Sequence, residues 1–274
     1  MDVLFEEGAD VVYEDTKYFY LANARNHYQK HASKVRWSDG DRIIDIGSGD
    51  GGLTNVLKSF ISANYKELIG CDASEELIDI ANDKYCDNRT KFVLLNIGDE
   101  LPEKMKGRFN RVTSCHALNW IINQRQTLQN IYDLLAEDGD CLLMFIAKSA
   151  LYEAYIAIAK TQKWQPWVKA NIQYVTQYQN SQDPVSEVRK LIDGVGFKTV
   201  SVDCEELSYV FKSLEYFLRS EEADNPYKIP DGPLLKEFMR ELENFLIRRN
   251  LLPAFNNTDL INYVVSRIVI YVSK

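Results

Sequence analysis

The chain has 274 residues, of which 46% are hydrophobic and 26% charged, the balance of a globular protein with one sizeable core. Its formal net charge of −8 and the lack of any Lys/Arg cluster argue against nucleic acid as a partner, because a phosphate backbone requires a basic patch. No apolar run approaches the roughly 20 residues that span a bilayer, and the acidic start MDVLFEEGADVVYED lacks the basic-then-apolar order of a signal peptide.

Residues 14–36 read as a helix, carrying an aromatic cluster at Tyr13, Tyr18, Phe19 and Tyr20. The turn signal Asp39-Gly40-Asp41 precedes Arg42–Ile46, a short apolar run that reads as a buried parallel strand. A helix over Leu53–Ala63, a strand over Glu67–Cys71 and a helix over Ser74–Lys84 follow, with Ser74 as N-cap and Glu75 and Glu76 in the first turn. Lys91–Leu95 and Phe109–Cys115 are the third and fourth strands. Arg125–Leu135 is a helix stopped by Asp138-Gly139, and Asp140–Ala147 is the fifth strand. Strict alternation of strand and helix predicts a doubly wound parallel sheet covered on both faces. Residues 149–180 break the rhythm, helical at first and then rich in aromatics and Gln. Pro184–Val195 resumes as a helix, Phe197–Phe211 holds a sixth strand, 213–252 is a second helical insertion, and Asn262–Ser273 is a final strand. One domain over 1–274 is expected, with 1–36 as a helical lid and 149–180 and 213–252 as cap insertions. The five cysteines, Cys71, Cys86, Cys115, Cys141 and Cys204, are widely spaced without metal-ligand spacing. They read as thiols in a reducing compartment, which places the protein in the cytoplasm.

The informative stretch is Ile43-Ile-Asp-Ile-Gly-Ser-Gly-Asp-Gly-Gly-Leu-Thr54, a strand entering a glycine loop and then a helix. Gly47, Gly49 and Gly52 satisfy the dinucleotide pattern G-x-G-x-x-G, but the neighbours are acidic. A pyrophosphate close to Asp45 and Asp50 would meet like charge in a partly dry site. S-adenosylmethionine carries an ammonium and a sulfonium with one carboxylate, so an acidic loop suits it better than a nicotinamide dinucleotide. The open backbone of Gly47, Ser48 and Gly49 admits its methionine end, and the helix N-terminus faces its carboxylate. Asp72, ending the second strand ahead of Ala73, is placed to accept the ribose hydroxyls. Asn96 and Ile97, after the third strand, are placed to meet the adenine, and Ser114 closes the set near the end of the fourth strand.

With these residues in place the sequence resembles the class I methyltransferases, whose first motif corresponds to Asp45-Ile-Gly-Ser-Gly-Asp-Gly51 and whose ribose acid corresponds to Asp72. That resemblance implies a Rossmann-like sheet of seven strands in the order 3-2-1-4-5-7-6, the last antiparallel. A narrower resemblance, to the insect juvenile hormone acid methyltransferases, rests on four stretches. They are Val35-Arg-Trp37, Leu118-Asn-Trp-Ile-Ile-Asn-Gln-Arg-Gln126, Asn130-Ile-Tyr-Asp-Leu-Leu135 and Gly139-Asp-Cys-Leu-Leu143. It implies methyl transfer to the carboxylate of an isoprenoid acid. One departure stands out: Tyr20 falls where that family has a substrate-facing Gln on the first helix. A Tyr ring fills space and stacks on aromatic acceptors instead of donating from an amide.

His116, in Ser114-Cys-His-Ala-Leu-Asn-Trp120, follows the fourth strand, where ligands of doubly wound sheets bind. It is the candidate catalytic residue, either holding a carboxylate or taking a proton from a hydroxyl. A carboxylic acid is ionised at neutral pH and needs no base, whereas ionising a phenol of pKa about 10 at pH 7 costs roughly 4 kcal/mol. Trp120, Tyr152, Trp164 and Trp167 join Tyr20 and His116 as candidates to wall an apolar acceptor pocket. His27 and His31 lie one helical turn apart with no third ligand evident, so no metal is expected. The expected function is O-methylation of a small hydrophobic acceptor by a monomer or weak homodimer, the carboxylate of a juvenile-hormone-like acid ahead of a phenol. A catalytically inactive cofactor-binding paralogue is the alternative outside catalysis.

Overall fold

The structure is a computed structural model and describes residues 12–168, 175–211, 213–223, 227, 229–230, 232–249 and 261–274. After helix α1 (Val12–His31) come β1 (Arg42–Ile46), α2 (Gly52–Leu57), β2 (Glu67–Asp72), α3 (Glu75–Tyr85), β3 (Thr90–Leu94), β4 (Phe109–Cys115), α4 (Gln124–Leu134) and β5 (Leu135–Ser149). Then follow α5 (Ala150–Ile158), α6 (Gln165–Val168), α7 (Pro184–Val195), β6 (Lys198–Phe211), α8 (Leu214–Ala223), α9 (Pro233–Arg248) and β7 (Ile261–Ser273). The strands form one seven-stranded mixed sheet in the order β3-β2-β1-β4-β5-β7-β6, the order that the resemblance implied. β1 lies parallel between β2 and β4, with Ile46 opposite Cys71 on one side and Ser114 on the other.

Local signals set most boundaries. Ser74 caps α3 by accepting from Leu77 N. Asp183 caps α7 ahead of Pro184, and left-handed Gly196 ends it. Several boundaries differ from expectation: the first helix, expected to reach residue 36, ends at His31, and two other differences have a visible cause. The helix expected to reach Ala63 stops at Leu57, because Asp39 holds Ser62 Oγ and Asn64 Nδ2 while Asn64 O accepts from Gly40 N. These bonds pull the chain into the turn before β1. The fifth strand begins at Leu135 and not Asp140. Leu135 pairs with Phe109 at once, and the Asp138-Gly139 stop becomes an irregularity inside the strand, with Asp138 at φ 60°.

The chain divides into two compact units, the first comprising Tyr20–Phe145, Gln182–Glu205 and Ile268–Lys274. Its core gathers Ile43, Leu57, Leu68, Leu142, Met144 and Val269 with Ala24 and Tyr28 of α1. The second unit comprises the described residues within Ile146–Ser181 and Glu206–Arg267, with those of α1 up to Phe19. Its own core holds Trp164, Phe217, Tyr227, Phe238, Leu242 and Leu246. Both segments expected as caps therefore fall in one unit, and the segment expected as a lid is divided between the two. Among the described residues no helix is long and apolar enough to cross a membrane.

Candidate methyl-donor site

The site starts from the way β1 ends. Beyond Ile46 the chain turns so tightly that Gly47 N and Ser48 N both donate to Cys71 O, at 2.8 and 2.9 Å. The turn needs positive φ at Gly47 (70°) and Gly49 (53°), which glycine adopts without steric cost. The two glycines serve different ends. A Cβ on Gly47 would overlap Ala117 Cβ, whereas one on Gly49 would meet nothing within 4 Å. Gly47 thus lets the loops after β1 and β4 touch, and Gly49 keeps an open face. Between them Ser48 Oγ is buried without a hydrogen-bond partner. A buried hydroxyl without a partner fits a site shaped for a polar ligand.

Asp72 holds the other side of the loop, accepting from Gly49 N on Oδ2 and from Ser74 N on Oδ1, both at 3.0 Å. One lone pair on each oxygen remains for a ribose diol. Asp45 is placed differently from the open acid expected from its position. It is 2% exposed, and its oxygens accept from Thr54 Oγ1 at 2.6 Å and Thr113 Oγ1 at 2.8 Å. Burial pushes its carboxyl up to about 6, against the pull of the two hydroxyls. Asp45 therefore braces α2 to β4 and puts its charge beneath the loop, not in it. Ser114 is likewise committed, its Oγ donating to Ile46 O at 2.9 Å.

Leu95 N donates to Asp72 O, bringing the segment after β3 beside the loop. There Asn96 is exposed and its Oδ1 accepts from Gly98 N at 3.0 Å, while Ile97 is buried and held through its carbonyl by Asn130 Nδ2. Ala73 is exposed between Asp72 and the cap of α3.

His116 directly follows β4 in a left-handed conformation, φ 62°. Such backbone costs a non-glycine residue of order 1 kcal/mol or more and is concentrated at functional sites. Its N donates to Met144 O, and its carbonyl accepts from Trp120 Nε1 at 3.1 Å. Trp120 stays 41% exposed, so its ring is available to a ligand.

The structure thus brings Asp45, Gly47, Ser48, Gly49, Asp72, Ser114 and His116 to the carboxyl ends of β1, β2 and β4. It puts Tyr152, Trp164 and Trp167 in the second unit. Trp164 is fully buried there, edge-on to Phe238 at 5.2 Å with Nε1 donating to Glu241, and Tyr152 is buried in the same core. Tyr20 lies on α1, and its side chain falls outside the described residues. His27 and His31 are buried with ring centroids 5.2 Å apart, and His31 Nε2 is 3.5 Å from Glu205. Among the described residues no group of three or more His, Cys, Asp or Glu could hold a metal ion.

Tyr28 was not singled out by sequence. Its buried hydroxyl has its pKa pushed up by burial and then by the neighbouring charge of Asp45, so it stays protonated under the loop. Only the helical spacing of Ala24, Tyr28 and Ala32 signalled that this face of α1 turns inward.

A family model described as a methyltransferase domain matches residues 21–202, which covers the donor loop, Asp72 and His116. The chain is a methyltransferase. The methyltransferase is 36% identical to the juvenile hormone acid O-methyltransferase of Bombyx mori over 84% of its own length and 82% of that protein's. It is 32% identical to the protein of the same name in Drosophila melanogaster, over 90% and 86% of the two chains. It therefore belongs with the S-adenosylmethionine-dependent O-methyltransferases. Among solved structures, the YcgJ protein of Bacillus subtilis has the same fold, with a TM-score of 0.63 at 14% identity over 91% of this chain and 98% of that one.

Proposed function

We propose that this methyltransferase binds S-adenosylmethionine in the β1 loop and methylates the carboxylate of a small hydrophobic acid of the isoprenoid, juvenile-hormone-like class. The observation that carries the donor reading is the loop itself: an open face at Gly49, an unpartnered buried Ser48 hydroxyl, and Asp72 with free lone pairs beside it. The donor supplies an electrophilic methyl group on sulfur. Asp72 takes the ribose hydroxyls, the loop amides and Ser48 take the methionine end, and Asn96 and Ile97 flank the adenine. Asp45, ionised at neutral pH, offsets the donor's positive charge from below. Two relatives that carry acid O-methyltransferase names over most of this chain support the acceptor class.

The acceptor needs little from acid–base chemistry. A carboxylate is already ionised at pH 7, so its oxygen forms the new bond as the methyl–sulfur bond breaks, with no proton to move. The protein's part is alignment: His116 holds the carboxylate at the strand ends, and Trp120 covers the apolar body. The test is transfer of labelled methyl to a panel of isoprenoid acids, fatty acids and para-substituted phenols at several pH values. Turnover of the isoprenoid acids is expected. Turnover confined to phenols would overturn the acid reading and make His116 a base.

A further inference from the structure

α1 carries a polar side chain that the functional reading leaves unused. Asn23 is 2% exposed, and neither its Nδ2 nor its Oδ1 has a hydrogen-bond partner. Burying a carboxamide with both ends unsatisfied costs free energy that a leucine of the same size would not, so the fold alone gives no reason for it.

Its place follows from how α1 crosses the sheet. Where the chain leaves α1, Arg36 N donates to Asp140 and Arg36 O accepts from Arg111, near the start of β4. Further back along the chain, Tyr28 neighbours Asp45, Thr113 and Cys115, near the end of β4. Moving toward the N-terminus of α1 therefore moves toward the carboxyl ends of the strands. Asn23 lies five residues beyond Tyr28, about 7.5 Å of helix. From Thr113 to His116 is three residues, about 10 Å of strand. That brings Asn23 level with His116 and, through the pairing of Ile46 with Ser114, with Gly47. The adjacent Ala24 packs in one cluster with Cys115 and Met144, the residues beside and opposite His116.

A lone carboxylate would satisfy Nδ2 and leave Oδ1 stranded, and a lone cation the reverse. A zwitterion satisfies both. We propose that Asn23 binds the amino-acid end of the methyl donor, Nδ2 donating to its carboxylate and Oδ1 accepting from its ammonium. The inference rests on the donor reading above and adds a specificity residue to it.

The test compares two ligands by calorimetry. S-adenosylhomocysteine carries the amino-acid end, and 5′-methylthioadenosine lacks it but keeps the adenine, ribose and sulfur. Asn23→Ala and Asn23→Leu should weaken S-adenosylhomocysteine about 10- to 100-fold and leave methylthioadenosine unchanged. The ligand-free Tm of Asn23→Leu should not fall, since the variant removes an unsatisfied buried amide. Equal weakening of both ligands, unchanged affinity for both, or a lower ligand-free Tm with unchanged affinities would overturn the inference while leaving the donor reading standing. Failure of the unaltered protein to bind either ligand would overturn the donor reading itself.

Discussion

Replacing Gly47 by alanine drives a methyl group into Ala117 Cβ, on a residue whose φ is 70°. The backbone contribution is about 1–2 kcal/mol for a Cβ in the left-handed region. Parting the β1 and β4 loops adds about 1–3 kcal/mol, the range for overpacking. The loss should therefore be roughly 2–5 kcal/mol, a large part of the stability of an ordinary domain. Gly49→Ala is the matched control. Its φ is 53°, but the new methyl meets nothing within 4 Å, so only about 1–2 kcal/mol is lost. Its methyl projects into the open face, so donor affinity should fall by at least tenfold even though the protein stays folded. Urea denaturation gives both stabilities, and calorimetry with S-adenosylhomocysteine gives the affinities. The double variant Gly47→Ala with Ala117→Gly removes the overlapping atom and should recover everything but the backbone contribution. If Gly49→Ala destabilises as much as Gly47→Ala, or the double variant recovers nothing, then loop contact is not what Gly47 provides. If Gly49→Ala keeps full donor affinity, the open face is not where the donor lies.

Asp45 makes stability depend on pH. Burial raises its folded pKa to about 6, above the usual carboxylate range, so the folded state holds the proton more tightly, and this contribution is present below about pH 4 and lost as pH rises through about 6. Asp45→Asn should flatten that part of a urea-denaturation profile, and a steeper slope in the variant would contradict the assignment. Binding of the cationic donor should tighten across the same interval in the unaltered protein and lose that dependence in the variant, as calorimetry at pH 5 and pH 7 would show. His116→Gly relieves left-handed backbone and should cost no stability while abolishing turnover; a loss above about 1 kcal/mol would mean that the imidazole's packing outweighs the strain. Asp140 is fully buried, accepts from Arg36 N and Nε and from Tyr271 Oη, and lies 3.4 Å from Arg111 Nε. Asp140→Ala should cost about 3–5 kcal/mol by stranding these cations, with donor affinity unchanged because the network sits near the amino ends of β4 and β5; a loss under 1 kcal/mol would contradict it.

Much of the fold was determined by sequence alone, where a short-range rule was enough. β4 and α7 have the bounds read from sequence. β4 falls where the alternation of strand and helix along the chain requires the next strand, and α7 carries its cap, its first-turn proline and its terminal glycine in and beside its own residues. The glycine loop and Asp72 were legible for the same reason, since a tight turn between strand and helix dictates its residues locally. Tertiary structure decided the rest, through partners far apart in the chain. α2 is shortened by hydrogen bonds to Asp39, and β5 is lengthened by pairing with Phe109. In the sequence Asp45 is an acid facing a ligand. Thr54 and Thr113, nine and 68 residues away, turn it into a buried brace. Asn23 is the converse: a polar residue on a helix reads as solvent-facing, and only the packing of α1 on the sheet buries it without a partner. Periodicity records which face of an element turns inward. What a polar group meets there depends on contacts that only the folded chain brings together.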